Sequence, residues 1–170
     1  MEIKGSNFVL RKIKVEDREE LATIANNKKI WLNLRDIFPH PYTLEDADFY
    51  INLISKEDPQ YSFAIEYQSK FAGMIGIVPL NDVYRKTAEI GYWLGEPYWG
   101  NGIMTEACKL VTDFGLNTLD FTRLHAGIFE NNIGSMKILE KNGYTRDGLF
   151  KKSIIKDGVV LDEHRYSIVK

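Results

Sequence analysis

The sequence predicts a mixed α/β (α+β) fold in a single domain spanning residues 1–170. Three observations predict it. Strand-like and helix-like runs interleave in the order β-α-α-β-β-β-α-β-α-β-β, with no repeat and no linker between them. The 170 residues suit one core, since single domains usually organise roughly 100–200 residues. Apolar types make up 44% and charged types 27%, a composition that folds rather than staying disordered.

The elements follow in order. Residues 8–13, Phe-Val-Leu-Arg-Lys-Ile, alternate after a Ser6-Asn7 turn and read as a strand. From Val15 the apolar spacing turns helical, with Glu16, Asp17, Glu19 and Glu20 expected as a solvated face near the positive helix end. Residues 31–42 are aromatic, broken by two prolines, and read as a loop. Thr43 and Asp46 form a capping box ahead of the stripe Ala47, Tyr50, Ile51 and Ile54. Residues 61–67 and 71–80 read as a hairpin joined through Gln68, Ser69 and Lys70, and residues 87–94 continue the meander. A helix is expected over 103–118, with Met104, Ala107, Cys108, Val111 and Phe114 inward. A strand over 124–129 and a helix over 133–142 follow, the helix closed by Gly143 at the position that favours left-handed backbone. Strands over 149–155 and 160–169 flank Lys156-Asp157-Gly158, a hairpin turn.

Composition excludes several functions. With 22 basic and 24 acidic side chains and no long Lys/Arg block, a grip on nucleic-acid backbone is not expected. No apolar stretch approaches the ~20 residues that span a bilayer, and the first residues lack a signal-peptide core, so no membrane partner is expected. A single cysteine, Cys108, allows no internal disulfide and agrees with a cytoplasmic location. His40, His125 and His164 are scattered without ligand spacing, so no metal is expected, and Cys108 is expected in the core.

The most informative segment runs from Glu89 to Ala107, where a strand enters a turn bearing Gly100 and Gly102 and the turn opens a helix. Backbone N–H groups and the positive helix end then converge on one anion. The turn alone fits a tight connection of small residues equally well. The third glycine of a dinucleotide fingerprint is missing and no Gly-Lys-Ser/Thr follows, which disfavours NAD and ATP.

Together with Asn132-Ile133-Gly134-Ser135 at the start of the later helix, this strand, turn and helix resemble the GNAT superfamily of acetyl-CoA-dependent N-acetyltransferases. The chain is similar to its RimJ/RimL branch, named for enzymes that acetylate ribosomal-protein N-termini. The resemblance covers nearly the whole chain, including the opening Phe-Val-Leu-Arg strand and the Asp-x-Phe-Pro-x-Pro-Tyr loop. It implies a central, mostly antiparallel, splayed sheet flanked by helices, and acetyl-CoA as co-substrate.

The family's diphosphate loop, Gln/Arg-x-x-Gly-x-Gly/Ala, puts Trp99 in the first place, matches Gly102, and meets Met104 at the last. Main-chain amides over Gly100, Asn101, Gly102, Ile103, Met104 and Thr105 are what the diphosphate requires. The resemblance places the pantetheine arm along Tyr92, Trp93 and Leu94 and gives Asn132 a contact to it, although Asn132 also serves as a plain N-cap. It places Ser135 near the thioester sulfur. Many relatives carry a tyrosine acid four residues further on; here that residue is Leu139, and Ser135 takes the role.

Glu89 matches the glutamate that histone-type members use as general base, its alternative being an ordinary exposed strand carboxylate. The late glutamate of the RimL branch falls on Ile154 by counting. Trp31, Arg35, Asp36, Phe38 and Tyr42 are placed to line the acceptor pocket, or else simply pack their loop. The resulting expectation is acetyl transfer from a coenzyme A thioester to a primary amine, a protein N-terminus or a small amine, by direct attack in a ternary complex formed by a monomer or homodimer. The alternative is a non-catalytic acyl-CoA-binding or regulatory domain on the same fold.

Overall fold

A computed structural model describes residues 1–170. The strands are β1 (Ile3–Lys4), β2 (Phe8–Arg11), β3 (Ser62–Tyr67), β4 (Lys70–Pro79), β5 (Thr87–Leu94), β6 (Arg123–Phe129), β7 (Thr145–Lys156) and β8 (Val159–Val169). The helices are α1 (Arg18–Ala25), α2 (Lys28–Trp31), α3 (Leu44–Ile54), α4 (Ile103–Asp113) and α5 (Ile133–Lys141). The strands join in the order β1-β2-β3-β4-β5-β6-β8-β7. The expected order is present, with β1 and the short α2 added. The chain forms two compact units, Met1–Gly76 with Tyr92–Ala107, and Ile77–Gly91 with Cys108–Lys170.

In the first unit β1 to β4 form an antiparallel meander. The β3–β4 hairpin turns through Gln68 and Ser69, both left-handed at φ 50 and 62, the geometry whose twist matches the flanking strands. Helices α1 and α3 close over this sheet. Leu21, Ala25, Tyr42, Ala47 and Ile51 pack with Ala64, Phe71 and Met74 in one buried cluster, and Trp93 and Phe38 lie against it. The Thr43–Asp46 capping box is present, each side chain satisfying the other residue's backbone N–H at 3.2 and 2.8 Å.

Strand β2 ends at Arg11, two residues short of the expected end, where its pairing with β3 stops at Ala64, and Arg11 is buried. Its guanidinium meets Asp17 through two bonds of 2.7 Å and Glu66 at 2.5 Å. The acidic run after Val15 is therefore only partly a solvated face. Asp17 is buried on Arg11, and Glu20 accepts the Phe71 amide at 2.7 Å, so two of its four carboxylates tie α1 to the sheet.

In the second unit β5 begins parallel to β6, and β6, β8 and β7 continue antiparallel. The helix expected over 103–118 is α-helical to Asp113 and then widens into one π turn, Phe114–Thr118. Gly115 sits in that turn against Ile77 and Leu124; a Cβ there would lie 2.6 Å from the Ile77 Cδ1. Helix α5 ends as expected. Gly143 adopts φ 82, its amide bonds the Glu140 carbonyl and the Tyr144 amide bonds that of Leu139, each at 3.1 Å. The β7–β8 hairpin turns through Asp157 and Gly158 at φ 50 and 76.

Candidate active site

The turn after β5 is built from several local constraints. Gly73 on β4 must lack a side chain, because a Cβ there would fall 2.3 Å from the Trp93 carbonyl oxygen. The Gly95 amide donates to Ala72 at 2.8 Å, and a 3-10 turn over Glu96–Tyr98 follows. The Trp99 indole N–H reaches back to the Leu94 carbonyl at 2.7 Å, and the Asn101 amide group donates to the Tyr98 and Trp99 carbonyls at 3.1 and 3.3 Å. Gly100 and Gly102 then take φ 79 and 75 with open space where a Cβ would sit. Their role is backbone conformation rather than packing.

Helix α4 starts directly from this turn. Its first i to i−4 bond runs from the Glu106 amide to the Gly102 carbonyl at 3.2 Å, so the amides of Ile103 and Met104 precede the ladder. Both side chains are buried, so at these two positions the backbone faces outward. Glu106, the acidic residue of the first turn, is engaged by the amide and hydroxyl of Ser6 at 2.8 and 2.6 Å. Glu96 is held by Asn27 at 2.7 Å and by the Lys29 ammonium, which keeps its carboxyl below the usual range. The arrangement suits an anion with several oxygens, because helix-start amides carry partial positive charge that needs no side chain.

The expected acceptor residues separate into three groups. Phe38 packs between Tyr42 and Trp93 with ring centroids 4.9 and 5.6 Å away. Tyr42 is 6% exposed and part of the core, and burial pushes its hydroxyl up to about 12. Trp31 stacks instead on His40 at 5.5 Å, a pairing the sequence reading did not anticipate. Arg35 and Asp36 lie exposed in the turn between them.

In the second unit Glu89 stands on β5, half-buried and in register with His125 of β6. That rung is the last of the parallel ladder, which holds only the pairs Thr87–Arg123, Ala88–Leu124 and Glu89–His125. Asn132 caps α5, its side-chain oxygen accepting the Ser135 amide at 3.2 Å, and Ser135 itself is buried. Leu139 is fully buried, so hydrocarbon fills the place where many relatives put a tyrosine acid.

Strand β7 bulges after Phe150. It uses Phe150 to Ile154 where β8 uses only Glu163 to Leu161, with Lys152 left-handed at φ 52. Glu163 on β8 is paired with Arg165 and lies over Gly127, where a Cβ would meet its Oε1 at 2.7 Å. Gly127 was the sequence signal, a strand glycine that marks close approach. Cys108 is buried, its thiol pushed up to about 12 by burial, and no group of three or more His, Cys, Asp or Glu gathers as a metal site. No helix is long and apolar enough to cross a membrane.

Residues 7–145 match the family described as acetyltransferase (GNAT) domain. The chain is 31% identical to the Bacillus subtilis (strain 168) protein named "Probable N-acetyltransferase YjcK", across 98% of this chain and 96% of that one. It is 28% identical to the Escherichia coli (strain K12) spermidine N(1)-acetyltransferase, across 82% of this chain and 73% of the other. A crystal structure of RimL, a ribosomal L7/L12 alpha-N-protein acetyltransferase in complex with coenzyme A, superposes with a TM-score of 0.87 at 21% identity, covering 99% and 98% of the two chains.

Proposed function

The chain belongs to the GNAT acetyltransferase family and is an N-acetyltransferase, and from that premise we propose that its 170 residues act as one catalytic domain that moves acetyl from acetyl-CoA to a primary amine. One observation carries the coenzyme assignment. Gly100 and Gly102 are left-handed at the start of α4, which presents a run of backbone amides with no side chain in the way. Amides over 100–105 bind the diphosphate. The β5 end at Tyr92, Trp93 and Leu94 and the amide group of Asn132 meet the pantetheine. Asn132 spends its oxygen on the Ser135 amide and so offers its NH2 group.

Glu89 is the general base that takes the ammonium proton, and Ser135 is the acid that protonates the leaving thiolate, its own proton replaced by the second N–H proton that the tetrahedral adduct sheds. An amine attacks only when neutral. At pH 7 an α-amine is roughly 10% neutral, whereas a lysine-like amine is about 0.04% neutral. A protein N-terminus therefore needs less help than a polyamine. Phe38 and Trp31 support an acceptor that brings apolar surface with its charge, exposed Asp36 suits the ammonium, and Tyr42 backs Phe38 from the core. The enzyme works in the cytoplasm, in keeping with one buried thiol and no disulfide.

The test incubates the protein with acetyl-CoA and a panel of Ser- and Ala-starting peptides, spermidine and spermine, following free thiol. Release with at least one primary amine is expected. Tight coenzyme binding without release for any acceptor would overturn the catalytic assignment, and the best acceptor class decides between α-amine and polyamine.

A further inference from the structure

The half-buried sheet face around Glu89 carries a polar row of which the catalytic assignment above uses only Glu89. Register places Glu89 beside His125 in the parallel ladder, and His125 beside Ser167 in the antiparallel one, so one row crosses β5, β6 and β8. Register partners share a face and neighbouring strands lie about 4.8 Å apart, which brings the carboxylate and the imidazole together directly or through one water. Ser167 is buried and donates to Asp147 of β7 at 2.9 Å. Asp147 also accepts from Arg123 at 2.5 Å. The opposite face of these strands is core, built from Ala88, Ile90, Leu124, Ala126 and Tyr166.

Taking Glu89 as the base, we propose that His125 is a positioning residue that carries the acceptor's proton from Glu89 to solvent. The N–H bond of the bound ammonium breaks as an O–H bond forms on Glu89, and the neutral amine left behind attacks. That O–H breaks as an N–H forms on one imidazole nitrogen, and the other nitrogen releases its proton to water. One proton moves from amine to solvent, and Glu89 is again a carboxylate for the next turnover.

The surroundings suit the task. Ser167, first, and Arg123 hold the Asp147 carboxyl below its usual range, and His125 adds to the effect, so an anion faces the imidazole from β7. Glu89 faces it from β5 and Arg123 from β6, while on β8 the Glu163–Arg165 pair sits one rung further along. Two carboxylates against one nearby guanidinium stabilise a transient imidazolium. The half-buried ring keeps a path to water.

The proposal rests on the proposed role of Glu89 and is tested by two readouts. In the free protein, NMR titration of the three histidine rings should show the His125 pKa falling by at least about half a unit in Glu89→Gln, with His40 and His164 unmoved. In turnover, His125→Gln should lower kcat about tenfold and leave the KM for acetyl-CoA within twofold. It should also remove an acid limb from the kcat profile. An unmoved His125 titration in Glu89→Gln, or an unchanged pH profile in His125→Gln, overturns the relay. Wild-type protein that releases no thiol with any acceptor overturns the parent assignment instead, and the ring titration still decides whether Glu89 and His125 are coupled.

Discussion

The indole N–H of Trp99 donates to the carbonyl of Leu94 at 2.7 Å, closing the end of β5 onto the turn that opens α4. The family pattern puts a Gln or Arg at this place. Here the same position braces the loop from inside, and the indole remains 45% exposed. Trp99→Phe keeps the ring and deletes the donor. It should cost about 1 kcal/mol, seen as a Tm about 2–4 °C lower, and raise the KM for acetyl-CoA several-fold with kcat little changed. Calorimetry and steady-state kinetics check both halves.

Gly102→Ala probes the backbone alone. A Cβ at this position meets nothing, so the only cost is left-handed backbone, about 1–2 kcal/mol. Relaxing that strain re-aims the amides, and coenzyme A affinity by calorimetry should fall at least about tenfold. An unchanged affinity would move the diphosphate away from this turn.

Asn132 has two separable roles. Asn132→Asp keeps the acceptor that caps α5 and removes the NH2 donor, so stability should hold within about 0.5 kcal/mol while coenzyme affinity drops. Asn132→Ala should lose both, with about 1 kcal/mol of stability. Ser135→Ala, in contrast, should leave coenzyme affinity intact and slow transfer; full activity would return Ser135 to a packing role.

Glu89→Gln removes the base and keeps the shape. Its remaining rate depends on acceptor that is already neutral, a fraction that rises with pH. The deficit relative to wild type should therefore be greatest at low pH and shrink as the pH approaches the acceptor's own pKa. A deficit that is constant with pH removes Glu89 as base.

Much of this was legible in the sequence because the signals are local. The Thr43–Asp46 box, the Gly143 cap, the Asp157-Gly158 turn and the strand over Thr87–Leu94 each depend on residues within a few positions, and each lies where it was expected. What was hidden depends on distant partners. Burial of Asp17 requires Arg11 and Glu66, which alternation cannot pair, and the short β1 exists only through its register with Val9 and Leu10. Spacing also fails where strands bulge. β7 spends extra residues between Phe150 and Ile154 opposite β8. The stacking of Trp31 on His40 joins the two ends of a loop that proline and aromatic content had marked without resolving.

Direct transfer is the central claim, and Cys108 offers the contrast. It is the single cysteine, buried, and burial pushes its thiol up to about 12, so it stays protonated near neutral pH. Native protein should resist a thiol reagent that modifies one equivalent after denaturation. The decisive measurement mixes the protein with radiolabelled acetyl-CoA, quenches rapidly, and counts label on the protein before and after an active acceptor is added. Direct attack predicts no label on the protein at either point and label on the acceptor amine. Label accumulating on the protein in amounts matching the enzyme, then passing to the acceptor, would contradict it.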